Sequence, residues 1–340
     1  MHRTDNLTYD CVLFDIDGVL VDIRKSYNAA IKETVDYVLK FITGNNSFRT
    51  LVTDQIILKF RQSGGFNNDT DTSYAIILAI LANPPKSISQ GRKFLTQVAE
   101  NSDESGYISV EKFLAIYGID KWKKVLTYPA PVKDSMLARV FDEIFYGPDL
   151  FRKQDHLEPK YWTTGRPLIK NDKLAVSAKT MKKLNKMFKG KLAIVSGRSR
   201  FAAEYSLQPI IKYFNSDACV FLEDKKRKYA KPSPYAVKHA MKVMGARTAV
   251  YVGDSAEDLL MARRAEKEIG AKIAFVGIYG NSSAPDETID KFKQEGVEAI
   301  IRSVNQLPNI INKVHCCSLK YTWLLPEEKR GLRGSQRRRR

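Results

Sequence analysis

The chain has 340 residues, 44% of them hydrophobic, which suffices to bury a sizeable core in one large or two moderate domains. Its longest apolar stretch, Ala75 to Ala82, is far too short to span a bilayer, and the opening MHRTDNLTYD lacks the apolar segment of a secretory signal, so an intracellular, cytoplasmic chain without membrane association is expected. The formal net charge is +18, yet Lys329 to Arg340 holds seven basic residues and no acidic one, so much of the excess belongs to a tail.

The first predicted element is the apolar run Cys11 to Phe14, a buried strand that ends in Asp15, Asp17 and Gly18. Alone, this reads as an ordinary Asp-Gly turn. Its position, however, is the one where open α/β sheets bind ligands, just beyond the carboxyl end of a strand. Ser26 to Phe41 then spaces Tyr27, Ala30, Ile31, Thr34, Val35, Val38 and Phe41 as an amphipathic helix. No second strand follows promptly. Val52 to Phe60, Tyr74 to Leu81, Arg92 to Ala99 and Val110 to Tyr117 are short helical patterns separated by Gly, Asn, Pro or Ser, which predicts a mostly helical insertion.

Within it, Ser63 to Asp69 reads SGGFNND, a dense turn before an apolar helix. A turn with a helix cap accounts for it most simply. The functional alternative is a loop over the site in which Phe66, Asn67, Asn68 and Asp69 read the part of a substrate that does not react. Asn101 to Lys112 imitates a calcium loop, but its twelfth position is Lys112 and not a bidentate Glu, so a polar loop is expected there. After a helical stretch from Asp134 to Phe145, the loop YWTTGRPLIKND returns the chain to the main domain.

From Leu192 onward short apolar runs alternate with helices: LAIVS, ACVFL, AVYVGD, IAFVGI and AIIRS. With the first strand they predict an α/β fold built on a doubly wound parallel sheet. Chemistry then gathers at the strand ends. Ser196 and Gly197 follow the second of these strands, Lys231 lies in a loop after the third, and Asp254 and Asp258 follow the fourth. Each alone has a plain reading as turn, surface lysine or helix-start acid. Cys11 and Cys219 fall in buried strands, and His315, Cys316 and Cys317 are adjacent, which suits neither a disulfide framework nor a zinc site.

The ordered set DIDGV, the Ser of VSGR, the Lys of YAKPSP and GDSAED resembles the four motifs of the haloacid dehalogenase superfamily, subfamily IA, and especially its phosphatase-like members. The position of the insertion is similar to the helical cap of the phosphoglycolate phosphatase and β-phosphoglucomutase branch. The resemblance implies a Rossmann-like core over 9–21 and 170–314, a cap over 22–169 and a basic tail over 315–340. It also implies hydrolysis of a small phosphorylated metabolite through an aspartyl-phosphate. Asp15 would be the nucleophile and Asp17 the acid/base. Ser196, Gly197 and Lys231 would hold the phosphoryl group, and Mg²⁺ would be held by Asp15, the backbone carbonyl of Asp17, Asp254 and Asp258. Two alternatives stay open: a phosphomutase using the same site, and a non-catalytic scaffold whose arginine tail binds nucleic acid or another polyanion.

Overall fold

The computed structural model of the chain describes residues 9–44, 48, 50–66, 68–222, 225–311 and 322–323. The run CVLF forms strand β1 (Cys11–Phe14), every residue of it buried, as a strand covered on both faces requires. Beyond the Asp-Gly turn comes a two-residue strand, β2 (Val21–Asp22), and then, among the described residues, seven α-helices. These are α1 (Tyr27–Thr43), α2 (Asp54–Gln62), α3 (Asp69–Ala82), α4 (Ile88–Glu100), α5 (Tyr107–Leu114), α6 (Asp120–Leu126) and α7 (Met136–Asp155). The chain returns through β3 (Lys173–Leu174), which pairs antiparallel with β2 at Val21↔Leu174.

The remaining chain alternates as expected: α8 (Ala178–Met187), β4 (Leu192–Ser196), α9 (Arg200–Leu207), β5 (Val220–Phe221), α10 (Tyr235–Val243), β6 (Thr248–Gly253), α11 (Ala256–Ile269), β7 (Lys272–Ile278), α12 (Pro285–Gln294), β8 (Ala299–Ile301), α13 (Leu307–Ile310) and β9 (Thr322–Trp323). The sheet runs β5-β4-β1-β6-β7-β8-β9, with every neighbouring pair parallel. β1 is central, in register with β4 at Phe14↔Ile194 and with β6 at Phe14↔Val252. The order reverses at β1, since the following strands add first on one side and then on the other. That switch point leaves a crevice at the strands' carboxyl ends.

In the insertion, α3 is buried nearly all round, which explains why its sequence shows an apolar run and not a stripe. It packs against α1, α4, α5, α6 and α7. Asn68 caps it, its side chain accepting from Thr70 N at 2.8 Å and Asp71 N at 3.4 Å. α7 kinks at Gly147, ahead of Pro148. The return loop is anchored on the fully buried Glu143, whose carboxylate accepts from the backbone N–H of Lys160, Tyr161 and Trp162 at 2.7, 2.6 and 2.7 Å. The calcium-like stretch is a helix-entry turn: Asp103 Oδ1 accepts from Ser105 N at 2.7 Å just before α5 begins.

The β2–β3 pair departs from the sequence reading, in which no second strand was expected to follow the first closely. Two-residue strands carry no periodicity, and their pairing joins segments about 150 positions apart. No helix among the described residues is long and apolar enough to cross a membrane. The expected basic tail and the His315, Cys316 and Cys317 cluster lie outside the described residues, apart from the backbone of 322–323.

Candidate active site

Asp15 continues β1 by one residue, its N–H donating to Val252 O at 3.0 Å. Its side chain is held at the carboxyl edge of the sheet by Lys231, whose Nζ is 2.7 Å from Asp15 Oδ1 and 2.7 Å from Asp258 Oδ1. Burial pushes the Asp15 carboxyl up to about 7, opposed by Lys231 and reinforced by the Asp258 and Asp17 carboxylates. Burial disfavours charge on Lys231 too, but its two carboxylate partners outweigh that and keep the ammonium well above its usual range.

Asp17 is gripped from the turn after β4. The Arg198 guanidinium donates from Nε to Asp17 Oδ1 at 2.6 Å and from Nη1 to Asp172 Oδ2 at 2.7 Å, and lies over the Tyr27 ring with Cζ 4.8 Å from its centroid. Asp172 comes from the return loop just before β3 and also accepts from the hydroxyls of Ser206, at 2.5 Å, and Ser26. Burial raises the Asp17 carboxyl above its ordinary range; Arg198 opposes this, while Asp69 and Asp172 add to it. Arg198 is itself 2% exposed and held protonated by Asp17 and Asp172.

The third group arises where β6 meets α11. Asp15, Asp254 and Asp258 each place a carboxylate oxygen within 4.8 Å of the others. Asp258 is saturated: it accepts from Lys231, from the Tyr251 hydroxyl at 2.8 Å, from the Ser255 hydroxyl at 2.7 Å and from the Ser255 N–H at 3.3 Å, the last part of the capping box on α11. A metal ion there could be coordinated most directly by Asp15 and Asp254, with Asp258 orienting their surroundings. An all-oxygen set that leaves positions for water suits a hard ion such as Mg²⁺. The Asp17 side chain, turned to Arg198, stands outside this cluster. Gly18 has φ +75°, and a Cβ there would collide with Asp254 Oδ2, so the Asp-Gly turn is what lets the third acid approach the first two.

Asp15, Asp17 and Asp254 open on a cavity of about 90 Å³ between the sheet edge and the helical insertion. The core contributes Asp15, Asp17 and Asp254, and the insertion contributes Asn28, Arg61, Phe66 and Asp69. Arg61 links α2 to the neighbouring elements, donating to Asp69 Oδ1 at 2.6 Å and to Asn28 Oδ1 at 2.9 Å. Lys291 on α12 reaches across to Gln62 O, and Arg264 on α11 meets Glu104 at 2.5 Å.

Of the residues singled out from sequence, Asp15, Asp17, Lys231, Asp254 and Asp258 converge. Ser196 is buried at the end of β4, where its hydroxyl accepts from Arg198 N at 3.4 Å, with Gly197 between them. Phe66 and Asp69 reach the cavity, whereas Asn68 is spent on capping α3 and Asn67 lies outside the described residues. Sequence reasoning missed Arg198, Asp172, Arg61 and Glu257. Arg198 had a signal, since it stands two places after Ser196 in the quoted VSGR. Glu257 lies in the quoted GDSAED, but its surroundings leave no trace there, and Asp172 and Arg61 meet partners up to 146 positions away.

A family model described as haloacid dehalogenase-like hydrolase matches residues 9–266. A search of functionally curated proteins found no match. Among solved structures, phosphatase Tt82 from Thermococcus thioreducens is similar in fold, with a TM-score of 0.53 and 23% identity over 84% of this chain and 99% of that one. A hydrolase from Pseudomonas syringae aligns with a TM-score of 0.46 and 15% identity over 90% of this chain and 99% of its own. The parallel sheet, the acids at its carboxyl edge and the family match over most of the chain agree: this protein belongs to the haloacid dehalogenase-like hydrolases.

Proposed function

We propose that the protein is a Mg²⁺-dependent phosphatase that hydrolyses a small phosphate monoester through an aspartyl-phosphate on Asp15. The observation that carries this reading is the pairing of two differently held carboxylates at one cavity, Asp15 on Lys231 and Asp17 on Arg198. A phosphate monoester resists attack because its charge repels nucleophiles and its leaving alkoxide is basic. In the proposed first step an Asp15 oxygen bonds to phosphorus as the ester P–O bond breaks, and Asp17 gives its proton to the departing oxygen. In the second step Asp17 takes a proton from water as that water attacks phosphorus and the Asp15–phosphorus bond breaks.

In this reading Lys231 and Ser196, with the amide of Gly197, would hold phosphoryl oxygens, while Arg198 keeps Asp17 aimed without touching substrate. Mg²⁺ held by Asp15, Asp17 O and Asp254, with Asp258 behind them, would supply the charge neutralisation that lets an anionic nucleophile meet an anionic ester. The segment 22–169 acts as a cap on a core formed by 9–21 and 170–314, excluding bulk water during turnover. The cavity of about 90 Å³ favours a small metabolite, being well below the roughly 300–1,000 Å³ of pockets for larger ligands.

Phosphate release over a panel of sugar phosphates, phosphoglycolate and nucleotides tests the reading. At least one small ester should be hydrolysed with Mg²⁺, lose turnover with chelator and regain it when Mg²⁺ is returned, and Asp15→Asn should be inactive. Absence of release from every ester, or undiminished turnover by Asp15→Asn, would overturn it.

A further inference from the structure

One acid in the cavity wall has no use in the chemistry above. Glu257 stands in the first turn of α11, between the metal-cluster acids Asp254 and Asp258, and is 2% exposed. It lines the cavity together with Phe66, Arg61 and Asp69. Its Oε1 is buried and makes no hydrogen bond among the described residues. Most neighbouring acids differ in this respect. Asp15 is met by Lys231, Asp17 by Arg198, Asp69 by Arg61 and Asp54 by Lys32. Asp254 belongs to the oxygen cluster suited to a metal ion.

A buried polar atom without a partner is costly, and native proteins keep few of them. Helix geometry does not require this one, since Ser255 and Asp258 already complete the cap of α11. Packing among the described residues supplies no donor either. The cations on this wall are engaged elsewhere, Arg61 with Asp69 and Asn28, and Lys291 with Gln62 O. Glu257 lines the cavity, so a group entering there is the candidate donor.

On the phosphatase reading, which this inference presupposes, the phosphoryl end of the substrate is taken by Asp15, Lys231 and Ser196. We infer that Glu257 is the leaving-group contact: its free carboxyl oxygen accepts a hydrogen bond from a hydroxyl or ammonium carried a few atoms beyond the ester oxygen. The substrate class is then a short hydroxyalkyl or aminoalkyl phosphate. Phe66 and Phe292, which line the same cavity, would cover its carbon chain. An apolar leaving group of equal size would leave Oε1 unsatisfied and be discriminated against, as sites built to bond a substrate hydroxyl or amine reject analogues lacking it.

The test compares kcat/KM for 2-hydroxyethyl phosphate and 2-aminoethyl phosphate with that for propyl phosphate, which has the same number of heavy atoms, using the full chain with saturating Mg²⁺. For the native protein at least one donor-bearing ester should exceed propyl phosphate by about tenfold or more. In Glu257→Leu the ratio should fall toward one. Glu257→Gln keeps both the shape and an acceptor oxygen, so a hydroxyl preference should survive while an ammonium preference shrinks; it also serves if the leucine variant does not fold. Using ratios within each variant removes any general loss from the nearby acids. Native ratios near one, or ratios unmoved by Glu257→Leu, would overturn the assignment. So would a changed Mg²⁺ requirement with constant ratios, which would place Glu257 on metal-bound water instead. Failure to release phosphate from any of these esters or from p-nitrophenyl phosphate would sink the phosphatase reading itself, whereas turnover with ratios unmoved sinks only the role of Glu257.

Discussion

Arg198→Met separates the aiming of Asp17 from the rest of the chemistry. The native guanidinium bridges two carboxylates, 2.6 Å from Asp17 Oδ1 and 2.7 Å from Asp172 Oδ2. Methionine occupies a similar volume against Tyr27 but donates no hydrogen bond. Asp172, its side chain 4% exposed, would keep only the Ser26 and Ser206 hydroxyls. Removing one partner of a buried ion pair costs about 3–5 kcal/mol, and those two hydroxyls place this case at the lower end, about 3 kcal/mol. Asp17, with its side chain 25% exposed, would be hydrated and lose its fixed orientation.

The kinetic effect depends on the leaving group. An alkoxide needs the proton from Asp17, whereas p-nitrophenolate departs without one. General acid–base catalysis contributes about 10²–10⁴, so kcat/KM for an alkyl phosphate should fall by about 100-fold or more, and that for p-nitrophenyl phosphate by less than about tenfold. Arg198→Lys should restore only part, because an ammonium cannot fork between two carboxylates. The assay is steady-state phosphate release with Mg²⁺, alongside urea unfolding to confirm a cooperative fold. Equal losses on the two esters in a variant that still unfolds cooperatively would refute the positioning role.

Gly18→Ala should raise the half-saturating Mg²⁺ concentration by about tenfold or more, because the new Cβ must displace Asp254 and the φ of +75° disfavours any side chain; an unchanged Mg²⁺ titration would contradict the geometry. Glu143→Ala leaves three backbone N–H groups and Arg139 without their acceptor and should cost about 3–5 kcal/mol in denaturant unfolding, while a loss under about 1 kcal/mol would show the return loop to be anchored elsewhere. Burial holds the Asp155 carboxyl at about 6, above its ordinary 3.8, against the pull of His156 and Arg139, and its Oδ2 has no hydrogen-bond partner among the described residues. Below the ordinary value both folded and unfolded chains are protonated and the site is neutral to stability. Between there and about pH 6 the unfolded chain ionises first, so the folded state loses stability as pH rises. Asp155→Asn should therefore be more stable than the native protein at pH 7 by on the order of 1 kcal/mol, allowing for partial solvent exposure, and indistinguishable from it near pH 3. A gain independent of pH would refute this account.

Local patterns carried much of the fold. The all-buried run at β1 and the apolar runs at β4, β6 and β7 are legible because a parallel strand covered on both faces needs continuous hydrophobicity, and β1, β4 and β6 end at or beside Asp15, Ser196 and Asp254. α3 was shorter in the sequence reading than in the structure, since its polar first turn belongs to the cap made by Asn68. The β2–β3 pair left no trace, being too short to show a period. Of the loop proposed to face the substrate, Phe66 and Asp69 line the cavity while Asn68 serves the cap of α3.

The sequence by itself determined which groups would meet at the sheet edge, because strand order in a doubly wound sheet sends every strand's carboxyl end to one side. It could not determine how those groups are held. That Lys231 is shared between Asp15 and Asp258 and that Arg198 joins Asp17 to Asp172 depend on distances across 26 to 216 positions of chain. Side-chain pairing at such separations is a property of packing, and only the tertiary structure decides it. The same holds for Glu257, whose type and place are plain in GDSAED but whose unpartnered oxygen emerges only once the insertion closes the cavity beside it.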